Sequence, residues 1–188
     1  MGAQWRRANA SPWFNGADLP VTATHWSCVR DNHTGLIWEV KTDDGGLRDK
    51  NHTYTWYNPH SSTNGGFAGT ATGTGCNNTL SNGCNTHAFV QAVNVQGLCG
   101  ANDWRLPDRF ELSSIVSRHR NRPAIDTDFF PNTDFFANNR SSSFWSASPY
   151  AGGSEFSSWG WSVNFHAGNV GTHSKSINHA VRVVRGGH

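Results

Sequence analysis

The chain has 188 residues, and its 15 Lys or Arg nearly balance its 13 Asp or Glu, so the net charge is only +2. This length favours a single domain, and the small net charge argues against nucleic-acid binding, which usually shows as a basic patch. No run of about 18 apolar residues occurs, so we expect no membrane-spanning helix. Hydrophobic residues make up only 36% of the chain, but nine Trp and eleven Phe are present. Because large aromatic side chains bury much area each, we expect an aromatic core beneath long, ordered loops.

Residues 1–27 are predicted to be an N-terminal extension that packs on the body without regular structure, with Trp5, Trp13 and Phe14 as anchors. They contain no signal peptide or lipid anchor, so we expect either that such a segment was removed or that export uses another route. The main domain is predicted to span residues 28–188.

A β-hairpin is predicted at the start of this domain. Its strands lie near residues 26–30 and 36–40, and residues 31–35 between them have the Asp, Asn and Gly content of a turn. Residues 54–57 predict a further short strand. The following stretch, 58–83, is dominated by Gly, Asn, Thr and Ser. Because loops this long in compact domains are usually functional or pinned, we expect the same here.

Four cysteines, an even number in a loop-rich chain, predict two disulfides and an oxidising compartment. Three pairings are open. We favour Cys76–Cys84, which closes a short local loop and would pin the long one, and Cys28–Cys99, which would tie the first strand to the end of a helix. Zinc is the alternative, because Cys84 and His87 have a C-x-x-H spacing, but no second close ligand pair is near. The compartment implies an extracellular or cell-surface protein, with a phage particle as the other location considered.

Two helices are predicted in the middle of the chain. Asn85 or Thr86 can cap the first, and Gly97 ends it. The second begins at Asp108, and Glu111 three residues later completes a capping box. The buried faces are predicted to be Phe89, Val90 and Val93 in the first helix and Leu112, Ile115 and Val116 in the second.

Strand signals resume at Phe144 and Trp145. The order of strands, then helices, then strands predicts an α+β domain in which two helices pack against an antiparallel sheet.

The final stretch, residues 144–188, combines a strict framework with irregular polar positions. Trp159, Trp161, Val163 and Phe165 alternate along the chain, which predicts a strand with one buried face. Variable polar positions on a rigid apolar framework are typical of a recognition surface. The candidate ligand-binding residues are Gly152, Gly153, Phe156, Ser157, Ser158, Gly160, Ser162, His166, Asn169, Gly171, Thr172, His173, Ser174, Ser176, Ile177, Asn178 and His179.

Six motifs in order, spread over about residues 28–187, carry a family resemblance. The chain resembles the bacterial family named for the C-terminal domain of the Legionella collagen-like adhesin. The resemblance implies a C-type-lectin-like fold whose C-terminal strands and loops carry the ligand surface. Adhesins of this family are implicated in binding sulfated glycans and are associated with trimers, so either a monomer or a trimer is expected. The motifs are Thr34 to Glu39, Tyr54 to Trp56, Gly97 to Gly100, Asp103 to Pro107, Phe144 to Ser148 and Val181 to Gly187.

The tail also resembles the variable protein of a diversity-generating retroelement, in which a reverse transcriptase mutates template adenines. Such copying turns AAC codons into any codon ending in C, and those codons cannot encode Trp, Met, Gln, Glu or Lys. Between Ser162 and His179, only Lys175 belongs to this excluded set, and it stands where the resemblance expects a fixed Lys. Upstream, Glu155 would have to be fixed by the template. A polar loop that lacks the five types by chance is the alternative.

The resemblance therefore predicts a surface-displayed protein that binds a protein or glycan ligand. The C-terminal face of this protein would be diversified by the retroelement. A fixed adhesin domain that binds sulfated glycans is the alternative, and Arg118, His119, Arg120 and Arg122 are its candidate site. Alanine substitutions in the tail and in this patch would separate the two.

An enzyme is not expected. The C-terminal Arg-Val-Val-Arg-Gly-Gly is similar to formylglycine-generating oxidases, but their chemistry relies on a C-terminal cysteine pair, and all four cysteines here lie at or before Cys99. No G-x-S-x-G nucleophile motif is present.

No cofactor is predicted, and calcium is the alternative considered. The acidic groups Asp126/Asp128 and Asp43/Asp44/Asp49 supply oxygen ligands suited to calcium, but turn and cap roles are the first expectation. His166, His173 and His179 could form a metal site or a pH switch, and solvated side chains are the simpler expectation.

Overall fold

The computed structural model describes residues 5–8, 24–133 and 142–186, which form two antiparallel sheets and two α-helices. This arrangement confirms the predicted α+β class and is compatible with a C-type-lectin-like fold. The sequence predicted one antiparallel sheet, and the structure has two separate ones. The first sheet has the order β1-β2-β3-β7, and its strands are β1 (Trp5–Ala8), β2 (Cys28–Asp31), β3 (Ile37–Glu39) and β7 (Val184–Arg185). The second has the order β4-β5-β6, with β4 (Ser143–Pro149), β5 (Trp159–Asn164) and β6 (Asn169–Ser174).

The predicted hairpin is present as β2 and β3, which pair antiparallel. Its turn forms because the Asp31 carboxylate accepts hydrogen bonds from the His33 backbone N–H and the Thr34 hydroxyl. The expectation that the N-terminal extension lacks regular structure is wrong for β1, which pairs with β2. The Trp5 ring packs edge-on against Phe130 with ring centroids 5.2 Å apart. The other two expected anchors, Trp13 and Phe14, lie outside the described residues.

Both predicted helices form where their capping residues place them. Helix α1 (Thr86–Gln96) begins because the Asn85 side chain accepts a hydrogen bond from the Ala88 N–H, and it ends at Gly97 in the left-handed conformation. Helix α2 (Arg109–Ser114) begins with the expected capping box. The Asp108 carboxylate accepts from the backbone of residues 110 and 111, while the Glu111 carboxylate accepts from the Asp108 N–H.

The two disulfides have the favoured pairing, Cys28–Cys99 and Cys76–Cys84. Cys84 is therefore unavailable as a thiolate, and the zinc alternative based on Cys84 and His87 is wrong. Residues 54–57 form isolated bridges rather than the expected strand, and they connect to residues 179, 85 and 69. Tyr54 and Trp56 are nonetheless fully buried and belong to the aromatic core.

A buried ionic cluster attaches the C-terminal segment to β3. The Lys41 ammonium lies 3.0 Å from the Glu39 carboxylate, and both side chains are almost fully buried. The Arg182 guanidinium, also buried, donates to the Glu39 backbone carbonyl at 2.7 Å, and the Val183 N–H donates to the Glu39 carboxylate. Because buried charges are costly unless they are paired, these contacts anchor Arg182 and Val183 to β3.

Candidate functional site

Strand β5 carries the centre of the predicted recognition segment, and its framework is buried at one end only. Val163 and Phe165 are fully buried, as expected, but Trp161 is half-buried and Trp159 is 37% exposed. The expectation that all four framework residues face the core is therefore wrong for Trp159. On this face, the buried residues lie towards the C-terminal end of β5, and the side chains of Trp159 and Trp161 at its start reach solvent.

The exposure of the seventeen candidate ligand-binding residues divides them into three groups. Three of them, Gly160, Ser162 and His179, are buried, so the expectation that they face outward is wrong. Seven are exposed: Gly152, Gly153, Phe156, Asn169, Ser176, Ile177 and Asn178. Seven are half-buried: Ser157, Ser158, His166, Gly171, Thr172, His173 and Ser174.

Each of the three buried candidates contacts a ring side chain from another segment of the chain. A methyl group placed on Gly160 would lie 3.3 Å from the Trp56 ring, which leaves little room for a larger side chain. The Ser162 hydroxyl is hydrogen-bonded to His173 Nδ1 at 2.9 Å. The His179 ring lies against Trp145 with ring centroids 4.5 Å apart. This face of β5 is therefore part of the core.

His173 and His179 form a close pair, with ring centroids 4.6 Å apart. Burial, and secondarily the neighbouring His173, lowers the pKa of His179 to about 4, so its ring is neutral at physiological pH. Burial also lowers the pKa of His173. His166 is separate, beyond the end of β5, where its backbone carbonyl accepts a hydrogen bond from Arg122. The described residues contain no group of three or more metal-ligating side chains, so the three histidines do not assemble a metal site there.

Lys175, the fixed position expected in the tail, is completely buried. Its ammonium donates three hydrogen bonds to the backbone carbonyls of Asn64, Phe67 and Ser157, at 2.8, 2.7 and 2.6 Å. It also lies 4.2 Å from the centre of the Trp56 ring. Burial lowers the pKa of Lys175 to about 8, so the amine still carries all three donor hydrogens at neutral pH. Lys175 therefore holds part of the long 58–83 loop against the tail, while Cys76–Cys84 closes its other end.

An array of aromatic rings, the aromatic strip, crosses the exposed end of the second sheet. It consists of Tyr150, Phe156, Trp159 and Trp161, whose rings meet edge to face. The ring centroid of Tyr150 lies 5.7 Å from that of Phe156 and 5.5 Å from that of Trp161. The ring centroids of Phe156 and Trp159 are 6.5 Å apart. The Arg109 guanidinium stacks over Trp161 at 4.7 Å. Only Phe156 was predicted as a contact, because Trp159 and Trp161 were assigned to the framework and Tyr150 was not singled out.

The basic patch of the alternative function lies just after α2 and adjoins the far end of β5, where the Arg122 N–H donates to the His166 carbonyl. Arg118, His119 and Arg122 are exposed, but Arg120 is paired with Asp126 at 3.0 Å and with Asp128 at 2.6 Å. A cavity of about 350 Å³ adjoins the patch, and its lining includes Trp5, Ile115, Arg118, His119 and Asp126. The two carboxylates reduce the positive potential that a sulfate group would need.

The acidic groups considered for calcium serve the turns in which they lie. The Asp49 carboxylate accepts hydrogen bonds from the backbone N–H groups of Asp44, Gly45 and Asn51. Burial alone would raise the pKa of Asp49, but these hydrogen bonds, the one from Asn51 above all, lower it. Asp43 pairs with Lys50 at 2.7 Å. These groups thus have partners without a metal ion.

Comparison with known proteins gives a family. Neither the curated proteins nor the solved structures contain a match. Neither helix in the described part of the chain has the length and apolar character needed to cross a membrane. The model of the Lcl C-terminal domain family matches residues 27–185. This range includes both helices and every strand except β1. The chain therefore belongs to the Lcl C-terminal domain family.

Proposed function

We propose that this chain is a surface-displayed ligand-binding domain whose C-terminal face is diversified by a retroelement for adhesion or target recognition. The observation that carries the proposal is the position of Lys175. Between Ser162 and His179 it is the one residue that a codon ending in C cannot encode, and it is fully buried with three backbone partners. Every other position between Ser162 and His179 holds a residue type that a codon ending in C can encode, and these positions surround the constant contact made by Lys175.

The framework can tolerate changes on the exposed face. Exposed substitutions away from special contacts usually change stability by no more than about 0.5 kcal/mol. In contrast, truncating a buried aromatic side chain such as Phe165 costs about 3–5 kcal/mol. Fourteen of the seventeen candidate positions are exposed or half-buried, and they include small polar side chains that adapt their hydrogen bonds as antibody loops do. Chains with different residues at these positions can thus share one fold.

Binding rather than catalysis is the activity that we propose. Among the described residues, the pair that most resembles a nucleophile and a base is Ser162 with His173, whose Oγ and Nδ1 atoms lie 2.9 Å apart. Ser162 is only 1% exposed, so a substrate carbonyl has no path to its hydroxyl. The pair is better explained as a buried hydrogen bond that stabilises the second sheet.

A library experiment tests the proposal. Codons ending in C are introduced at the seven exposed candidates in one library, and at Gly160, Ser162 and His179 in a matched library of buried positions. Both are displayed on yeast, and protease resistance reports folding. The exposed library should remain folded and should yield binders against several unrelated purified proteins and glycans. The buried library should mostly unfold. Failure of the exposed library to fold, or to yield any binder, would contradict the proposal.

A further inference from the structure

Exposed apolar side chains are concentrated around Lys175. The described residues include seven exposed large hydrophobic side chains, and four of them lie on segments that meet at this ammonium. Phe67 supplies one of the three carbonyls and is itself 46% exposed. Phe156 precedes Ser157, which supplies another, and Ile177 follows Lys175 by two residues. Trp159 contacts Phe156 through the aromatic strip.

The loop that bears Phe67 is packed against the recognition segment. A methyl group added to Gly65 would lie 2.7 Å from Pro149 Cβ, and one added to Gly66 would lie 3.7 Å from Ser157 Cβ. The loop closes on itself at Tyr57 and Gly69, which form a β-bridge. Lys175 adds two of its three hydrogen bonds to this loop, so Phe67 is held beside the tail rather than displayed separately.

The combined surface carries almost no charge. Across residues 58–69 and 150–178, only Glu155 and Lys175 are formally charged at neutral pH when His is neutral. The Lys175 charge is buried in its carbonyl contacts, and Arg109 lies at the margin, over Trp161. Aromatic enrichment with depletion of charge is typical of the centre of a protein–protein interface. A sulfated glycan would find no cluster of cations here.

We propose that Phe67, on the loop 58–69, is a constant part of the recognition surface, and that the partner is a folded protein with an uncharged apolar patch. This inference rests on the proposed function and adds a contact outside the diversified tail. Lys175 is a positioning residue, because it holds the loop and the tail in one arrangement. Each diversified tail would therefore share the same apolar anchor, and preorganisation of the loop would reduce the entropy lost on binding.

Synthetic antibody fragments selected from an unbiased library against the folded chain serve as the protein probe. Each independent clone is measured against the wild type, Phe67→Ala and Phe156→Ala, with Val95→Ala as control because Val95 is 90% exposed on α1. We expect most clones to lose at least tenfold in affinity with both Phe variants and to be unchanged with the control. Phe67→Glu is the second variant at that position, and thermal melting verifies the fold of every variant.

The other outcomes separate the two proposals. If most clones depend on Phe156 but not on Phe67, the tail remains the recognition surface and the constant anchor is wrong. If clones depend on neither residue, both proposals fail. A parallel array of uncharged glycans tests the partner class, and specific glycan binding that both Phe variants abolish would overturn the assignment of a protein partner.

Lys175→Met tests the positioning role, because Met keeps the apolar stem and removes all three donors. Hydrogen exchange should accelerate in residues 58–70 with exchange in α1 unchanged, and the antibody fragments that need Phe67 should bind at least tenfold more weakly. Equal affinity together with faster exchange would mean that Lys175 stabilises the fold without organising the surface.

Discussion

Replacement of Lys175 with Met should destabilise the domain far more than the loss of an ordinary surface lysine. Three backbone carbonyls lose a charged donor, and hydrogen bonds to charged groups contribute about 1.5–3 kcal/mol each. The lower values sum to about 4.5 kcal/mol. Met also removes the cost of burying an ammonium group, which offsets part of the loss. We therefore expect a decrease of about 3 kcal/mol in the free energy of unfolding, or about 6–12 °C in Tm for a domain of this size.

Urea titration and thermal melting measure this loss, with Lys50→Met as the matched control. Lys50 makes a single ion pair with Asp43, whose side chain is more than half exposed, so the control should lose less than about 1 kcal/mol. Similar stabilities of the two variants would refute the argument, because it assigns the difference to the three buried hydrogen bonds. A large loss in both variants would also refute it.

Three further predictions concern pH, cross-links and capping. The pKa of His179 is about 4 in the folded chain and near 6.5 in the unfolded chain, so between these values the unfolded chain binds more protons. Stability therefore falls as the pH drops through this range, by up to about 3 kcal/mol. Urea titrations at pH 7.5 and 4.5 should show a smaller acid loss in His179→Gln than in the wild type or in His33→Gln, which alters an exposed histidine; equal losses would contradict this. Replacing both cysteines of Cys28–Cys99 by Ser should lower the free energy of unfolding by about 4 kcal/mol, and the same change at Cys76–Cys84 by about 2.5 kcal/mol. The difference arises because the first disulfide joins residues 71 positions apart and the second joins residues 8 positions apart. The reverse order in urea titration would contradict the loop-entropy argument. Asp108→Ala should cost about 1 kcal/mol through loss of the α2 cap, and an unchanged melting temperature would show that the cap contributes nothing.

Features determined by neighbouring residues were predictable from the sequence. The α1 cap at Asn85 and the α2 capping box at Asp108 depend on side chains within three residues of the N–H groups that they satisfy. The β2–β3 hairpin likewise depends on its own turn. The disulfide pairing followed from the separations of the cysteines and the elements that they join. The family resemblance supplied the fold class, which local patterns reached only as α+β.

The burial of the tail was less predictable, because it depends on residues far away in the chain. Alternation assigned one face of β5 to the core and the other to solvent, but Gly160 lies against Trp56 and Trp145, and Ser162 is buried as well. A period of two cannot indicate whether a second layer covers the other face. Phe67 was missed for the same reason. Its loop shows only a polar, Gly-rich composition, and its location beside the tail depends on Lys175, 108 residues away.

The central claim, a diversified face on a constant framework, is tested most directly by deep sequencing of the 3′ end of the gene and its flanking DNA in the source population. The account predicts changes concentrated in codons for exposed and half-buried tail positions, such as Phe156, Asn169 and Ser176. Lys175, Val163 and Phe165 should be constant, and a nearby near-copy should differ from the gene only at its adenines. An invariant tail with no near-copy, or changes spread equally over buried and exposed codons, would contradict it.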